Sequence, residues 1–115
     1  MKIDWQTIEI FIKPGSTDMR KQIQSLAVYV VDEVKGNPLS GDLYAFCGKN
    51  RKLIKILYWD RNGFCLWQKR LETDTFSWPR DQGEARKITD EQLMMLLDGI
   101  DFFKAHKKLN FSAVS

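Results

Sequence analysis

Apolar residues recur along the first third of the chain with two different periods. Residues 7–13, TIEIFIK, alternate apolar and polar side chains, which is the pattern of a half-buried β-strand. In residues 18–35 the spacing changes to three and four, which predicts an amphipathic helix. The apolar stripe of this helix consists of Met19, Ile23, Leu26, Val30 and Val34. Ser16 or Thr17 is predicted to cap the helix at its start, and Gly36 to end it.

Strand-like runs dominate the middle of the chain. A short apolar strand is predicted over residues 43–48 and is followed by a basic turn. Residues 53–71 then alternate on both sides of Asn62-Gly63, a dipeptide that suits a type I′ hairpin turn because both central residues there need positive φ. This hairpin is the longest and most apolar strand pair, so it should lie at or near the centre of the sheet. Residues 74–79 are predicted to add an edge strand.

Helical periodicity returns after a polar linker at residues 80–86. Residues 89–103 open with a capping box formed by Thr89 and Gln92. The apolar side of this helix consists of Leu93, Leu96, Leu97 and Ile100. The element order β-α-β-β-β-(β)-α predicts a single α+β domain over residues 1–103, with helices packed on an antiparallel sheet of four or five strands. Residues 104–115 are predicted to be a disordered tail.

One face of the predicted hairpin mixes cations with tryptophan. If Asn62 and Gly63 are the loop residues, alternation assigns Lys55, Trp59, Arg61, Gln68 and Arg70 to this face. The mixture suits a surface that contacts phosphates and stacks on bases. It also fits a second apolar layer with cations at its rim. Because an unpaired cation inside a packed face is costly, the contact surface is preferred, and charge reversal at Lys55 and Arg70 should leave the fold nearly intact.

Composition and charge place the chain among ordinary globular domains with an anionic partner. The chain has 115 residues, 43% hydrophobic and 29% charged. It contains neither an apolar run of the ~20 residues that cross a bilayer nor a signal peptide, so a cytoplasmic location is predicted. The whole chain carries +3, yet residues 49–70 hold seven cations and one acid. This excess favours an anionic partner such as DNA, although a solvated hairpin has the same composition. Lys49, Arg51 and Lys52 therefore join the candidate binding residues.

The sequence contains no motif that indicates catalysis. It lacks a Gly-x-Gly-x-x-Gly pattern and a Walker-type lysine loop. The single histidine, His106, makes a zinc site of the usual four ligands and a Cys/His pair poor interpretations. Cys47 and Cys65 are expected to be buried, reduced thiols. Asp60, the one acid among these cations, is a candidate site residue, with turn stabilisation or ion pairing as its ordinary role. No enzymatic activity, cofactor or metal is predicted.

Five short motifs occur in an order typical of one family of bacterial mobile-element proteins. They are STDMRK (16–21), LSGDLYAF (39–46), LIKILYWDRNGFCLWQKRLE (53–72), FSWP (76–79) and LLDGID (96–101). On these motifs, the chain resembles the Orf2-like, or TnpB-type, accessory proteins of the insertion-sequence-sixty-six family. The resemblance covers residues 8 to about 101. These proteins are distinct from the RNA-guided nucleases that share the TnpB label.

The resemblance implies a non-catalytic accessory protein of transposition that works beside a separate transposase. Its implied partners are the transposase of the same element, DNA, or both. The positions that match the family pattern are Thr17, Asp18, Met19, Arg20, Ser40, Gly41, Lys55, Trp59, Asp60, Gly63, Lys69, Arg70, Trp78 and Pro79. Arg61 and Cys65 depart from the pattern, which leaves Lys55, Trp59, Asp60 and Arg70 as the better candidates.

A protein–protein adaptor without nucleic-acid contact is the alternative. In that case Trp59, Trp67 and Trp78 would anchor an interface, because tryptophan and arginine dominate interface hot spots.

Overall fold

Five strands form one mixed sheet in the computed structural model, which describes residues 6–100. In chain order the elements are β1 (Ile10–Ile12), α1 (Ile23–Tyr29), a π-helical segment (Val30–Val34), β2 (Leu43–Cys47), β3 (Leu53–Asp60), β4 (Gly63–Arg70), β5 (Arg86–Ile88) and α2 (Asp90–Leu97). The strands lie in the order β4-β3-β2-β1-β5. The predicted α+β class and the order of the main elements are confirmed.

One strand pair differs from the fully antiparallel sheet that the sequence predicted. β1 and β2 are parallel, whereas the other three neighbouring pairs are antiparallel. A parallel pair needs a long crossover connection, and α1 with the π-helical segment supplies it. The hairpin also lies to one side of the sheet, because β4 is an edge strand and β2 is central.

Both faces of the sheet are covered, so neither face of the hairpin is a free surface over its whole length. On one face, Ile12 and Ile54 belong to a buried cluster that includes Leu93 and Leu96 of α2. On the other face, a second cluster joins the sheet to α1 and the π-helical segment. Its buried members are Leu26, Val30, Tyr44, Phe46 and Leu57. β2 is buried at all five positions because it lies between these two layers.

The first helix begins at Ile23 rather than at Asp18. Leu26 of α1 and Val30 of the π-helical segment are fully buried as predicted, while Ile23 stays 37% exposed. The predicted serine or threonine cap is wrong, because Gln22 occupies the N-cap position without a side-chain hydrogen bond.

The end of this helical region depends on a glycine, but not through the backbone conformation that was predicted. Lys35, rather than Gly36, has the left-handed conformation, with φ 63°. The Gly36 N–H donates to the Val30 carbonyl oxygen at 3.0 Å and closes the last turn. A Cβ at Gly36 would lie 2.7 Å from the Tyr44 hydroxyl, so close packing explains the glycine.

A buried lysine, Lys55, holds the loop that precedes α1. Only 3% of Lys55 is exposed. Its Nζ donates to the carbonyl oxygens of Met19 at 2.7 Å and Lys21 at 2.9 Å. In a helix these carbonyls would accept from N–H groups four residues later, so this contact favours a non-helical loop. The prediction that Lys55 faces solvent is wrong, and we expect its charge reversal to disrupt the fold.

The hairpin forms with its loop shifted by one residue. Arg61 and Asn62 are the loop residues, with φ 53° at Arg61, and Asp60 pairs with Gly63. The cross-strand pairs on the face toward α1 are Leu53–Arg70, Lys55–Gln68, Leu57–Leu66 and Trp59–Phe64. The observed register places aromatic opposite aromatic and leucine opposite leucine. A loop formed by Asn62 and Gly63 would instead pair Leu57 with Gln68 and Trp59 with Leu66, and these pairs stabilise a sheet less.

The predicted edge strand at residues 74–79 is not formed, and β5 begins instead at Arg86, the last residue of the predicted polar linker. Phe76 and Trp78 enter the core from a segment without regular secondary structure. The Trp78 indole N–H donates to the Lys13 carbonyl oxygen at 2.9 Å, and this side-chain bond helps to hold the segment in place without a strand ladder.

The last helix has the predicted capping box, since Thr89 and Gln92 bond to each other's backbone N–H groups. It ends at Leu97, whose carbonyl oxygen accepts a hydrogen bond from Lys69 Nζ at 2.8 Å. A cation at this position suits the negative end of the helix dipole. Ile100, predicted to face the core, lies beyond the helix and is exposed. The predicted tail at 104–115 lies outside the described residues.

Leu26→Ala is expected to lower the free energy of unfolding by about 2–5 kcal/mol, because it leaves a cavity under α1. Urea unfolding followed by circular dichroism measures the loss. Val28→Ala is the matched control, since Val28 is 54% exposed on the same helix. A loss below about 1 kcal/mol for Leu26→Ala would contradict this packing.

Lys55→Met is expected to destabilise the fold by about 1.5–3 kcal/mol, because it removes two hydrogen bonds from a charged donor. Lys49→Met, at an exposed position, should stay within about 0.5 kcal/mol. Equal unfolding midpoints for Lys55→Met and the unaltered protein would show that the Lys55 contacts contribute nothing.

Burial raises the pKa of the Cys47 thiol to about 12. A thiol reagent should therefore leave Cys47 unmodified at pH 8 in a Cys65→Ser variant until the chain unfolds, because the thiolate is the reactive form. The unfolded thiol ionises near its ordinary pKa of 9.0, so Cys47 also lowers the stability of the fold as pH rises above that value. Rapid labelling under native conditions would contradict the burial of Cys47.

Candidate anion-binding cleft

The predicted binding residues of the hairpin do not form one exposed face. Lys55 is buried beneath the loop before α1, and Trp59 is half-buried against Phe64, with ring centroids 5.0 Å apart. Gln68 and Arg70 are exposed on the edge strand β4. Arg70 forms an exposed ion pair with Glu72 at 3.4 Å.

The remaining candidate residues lie in two groups, one in the turn at each end of β3. Asp60 and Arg61 lie at the β3–β4 turn. Lys49, Arg51 and Lys52 lie at the β2–β3 turn. β3 is eight residues long, so the two groups are roughly 25 Å apart.

Three segments of the chain meet at the β2–β3 end of the sheet. They are the loop after β1, the β2–β3 turn and the segment that follows Phe76. Backbone hydrogen bonds join them in pairs, from Gly15 N–H to the Pro79 carbonyl at 2.8 Å and from Phe76 N–H to the Arg51 carbonyl at 2.6 Å. Between them lies a cleft of about 260 Å³.

Positive charge dominates the lining of this cleft. Lys49, Arg51 and Arg80 line it together with the polar side chains of Ser16 and Gln82, and no carboxylate of the described residues lines it. Within residues 6–100, none of the three cations forms an ion pair. A concave surface with unopposed positive charge attracts anions.

The acids that are closest in sequence to the cleft are bound to other arginines. Asp18 accepts hydrogen bonds from the Arg20 guanidinium, which holds the pKa of that carboxyl well below its usual range. Asp81 binds Arg86 at 2.7 Å. Neither carboxylate therefore neutralises the neighbouring Arg80.

Two of the three cations that line this cleft, Lys49 and Arg51, were predicted from the sequence by their charge. Arg80 was predicted to lie in a polar linker and was given no role. The FSWP motif immediately before Arg80 was the available signal, because Trp78 and Pro79 bring that arginine to the sheet.

Neither a group of metal ligands nor a membrane-spanning helix occurs in the described part of the chain. Across residues 6–100, no group of three or more histidine, cysteine, aspartate or glutamate side chains is arranged to hold a metal ion. In the same range no helix has the length and apolar character that crossing a membrane requires.

Comparison with known proteins identifies relatives along most of the chain. A family model described as "IS66 Orf2 like protein" matches residues 8–107. The "Uncharacterized protein y4hO" of Sinorhizobium fredii is 42% identical over 97 residues, which cover 84% of each chain. The "Uncharacterized protein y4jC" of the same organism is 26% identical over 101 residues, covering 88% of this chain and 86% of the relative. No solved structure matches the chain.

The five motifs and these matches agree on one assignment. The family model spans nearly all of the described residues as well as the start of the C-terminal segment. The chain therefore belongs to the IS66 Orf2-like family, whose members are accessory proteins of insertion-sequence transposition.

Proposed function

We propose that this protein is a non-catalytic factor that supports transposition by binding DNA through the basic end of its sheet. The basic end is defined by Lys49, Arg51, Lys52 and Arg80. Family membership supports the association with transposition. The observation that carries the DNA-binding part is the cleft, which in the part of the chain that the structure describes is lined by cations without ion pairs and by no carboxylate.

The basic end suits phosphate contacts better than base readout. Its charged side chains are lysine and arginine, which bind phosphate oxygens, and phosphate contacts position a protein on DNA without specifying sequence. The half-buried Trp59 lies near the other turn of β3 and is packed against Phe64, so it does not supply a stacking surface beside these cations. We therefore assign sequence selection during transposition to the transposase.

A protein partner is the second candidate, and exposed aliphatic side chains favour it. Val28 on α1, Val31 on the π-helical segment and Leu39 in the following loop each expose more than half of their surface. Exposed aliphatic side chains of this size suit contact with another protein. We propose the transposase of the same element as that partner, with both proteins in the cytoplasm. The two candidate functions use different surfaces and are compatible.

The other predicted site residues remain proposals for partner contact. Asp60 and Arg61 at the hairpin turn, together with Gln68 and Arg70 on the edge strand, are accessible to a partner. Lys55 is assigned to the loop before α1 rather than to direct contact with DNA.

Salt titration of DNA binding tests the proposed function. The protein should bind a duplex from the element end at low salt, and its affinity should fall steeply as salt rises. If three or four phosphates are contacted, the logarithm of the binding constant should fall with the logarithm of salt concentration with a slope of about −2.7 to −3.6. Fluorescence anisotropy with a labelled duplex measures this slope.

Two charge-reversal variants locate the binding surface: one changes the basic end and the other is the control. Lys49→Glu should weaken binding about tenfold at low salt, because it places a carboxylate among the phosphate contacts. Lys35→Glu changes the net charge equally at the end of the first helical region and should bind within about twofold of the unaltered protein. Absence of binding by the unaltered protein at low salt would overturn the DNA-binding function and leave the adaptor.

A further inference from the structure

The geometry points to a specific phosphate site, in which Arg51 and Arg80 bind the oxygens of one backbone phosphate of DNA inside the cleft. This inference rests on the proposed DNA binding and deepens it. It adds Arg80, which carries no assigned role in the sequence motifs, and it distinguishes a shaped site from a generally basic surface.

The backbone positions both arginines before any ligand binds. Arg51 has a left-handed backbone, with φ 57°, and its N–H donates to the Gly48 carbonyl at 3.0 Å. Its own carbonyl accepts from Phe76 N–H, which joins the turn to the segment that carries Arg80. Arg80 follows Pro79, whose carbonyl is bound by Gly15. The two guanidinium groups therefore start from fixed backbone positions on separate segments.

The absence of a side chain at Gly15 allows the Gln82 amide, a neutral part of the cleft lining, to lie close to the backbone. Gly15 has φ 78°, and a Cβ there would lie 2.9 Å from the side-chain amide atoms of Gln82. The amide of Gln82 and the hydroxyl of Ser16 thus supply neutral hydrogen-bonding groups beside the cations. Arginine binds a phosphate through two parallel N–H groups, and neutral donors complete such a site without adding repulsion.

The surroundings favour a DNA phosphate over a free phosphate ion. Lys49 lines the cleft and is also exposed on the same turn as Lys52. A polymer with repeated phosphates contacts both the cleft and this turn, whereas a single ion contacts only the cleft. Occupation of the site by an anion also relieves the mutual repulsion of the three lining cations.

Neutralising variants test the site through the salt dependence of duplex binding. Arg51→Gln and Arg80→Gln should each weaken binding about 5- to 20-fold at moderate salt, and the double variant, which loses the one phosphate contact, should reduce the slope by about one unit. Lys35→Gln removes the same charge at the end of the first helical region and should leave both quantities unchanged. Thermal unfolding of each variant checks that the fold is retained.

A second measurement detects ligand binding at the cleft itself. In nuclear magnetic resonance titrations at constant ionic strength, the duplex should shift the backbone amide signals of Ser16 and Gly48 and the Trp78 indole signal. These shifts should be absent in the Arg51→Gln/Arg80→Gln double variant. Inorganic phosphate, titrated separately, should produce the same local shifts at concentrations at least a hundredfold higher.

The outcomes separate this inference from the proposed function. If the duplex binds equally well to the double variant and the unaltered protein, DNA binding stands and the cleft site is wrong. If inorganic phosphate shifts the cleft signals but the duplex does not bind, the cleft is an anion site. The proposal that the bound phosphate belongs to DNA is then wrong. If neither ligand shifts these signals and the duplex does not bind, both are overturned.

Discussion

The contact on which the N-terminal half depends is the buried ammonium of Lys55 against the carbonyls of Met19 and Lys21. It is formed by a side chain of β3, an interior strand, and by the backbone of the loop between β1 and α1, so it holds that loop against the sheet. The loop in turn brings Gly15 and Ser16 to the cleft. A lysine in the core is tolerable here because two strong acceptors replace the water that it loses.

Periodicity predicted the elements well and their surroundings less well. The apolar stripes of the two predicted helices identified Leu26, Val30 and Leu93 as core residues. The sequence did not show that β1 pairs in parallel with β2, since strand direction depends on the path of the chain between them. It also did not specify the hairpin register, because Asn62-Gly63 is a strong turn signal that cross-strand packing of Trp59 and Phe64 outweighed.

The cleft shows the corresponding limit for function. Charge alone selected Lys49 and Arg51, and family motifs marked Trp78 and Pro79. The same charge criterion also selected Lys55, although this residue has a structural role. The sequence alone does not show whether a lysine is buried. No local sequence pattern indicated Arg80, because it lines the cleft only after the segment that follows Phe76 has packed against the β2–β3 turn.

The long sequence separation across the cleft has a consequence for the order of folding. The β2-β3-β4 meander closes through short turns, whereas Trp78 must find Lys13 across 65 residues. Closing so long a loop costs chain entropy that nearby contacts avoid, so the meander is expected to form early and the walls of the cleft late. The cleft then exists only in chains that have completed their folding, and a nascent or partly degraded copy would lack it even though its basic turn is present.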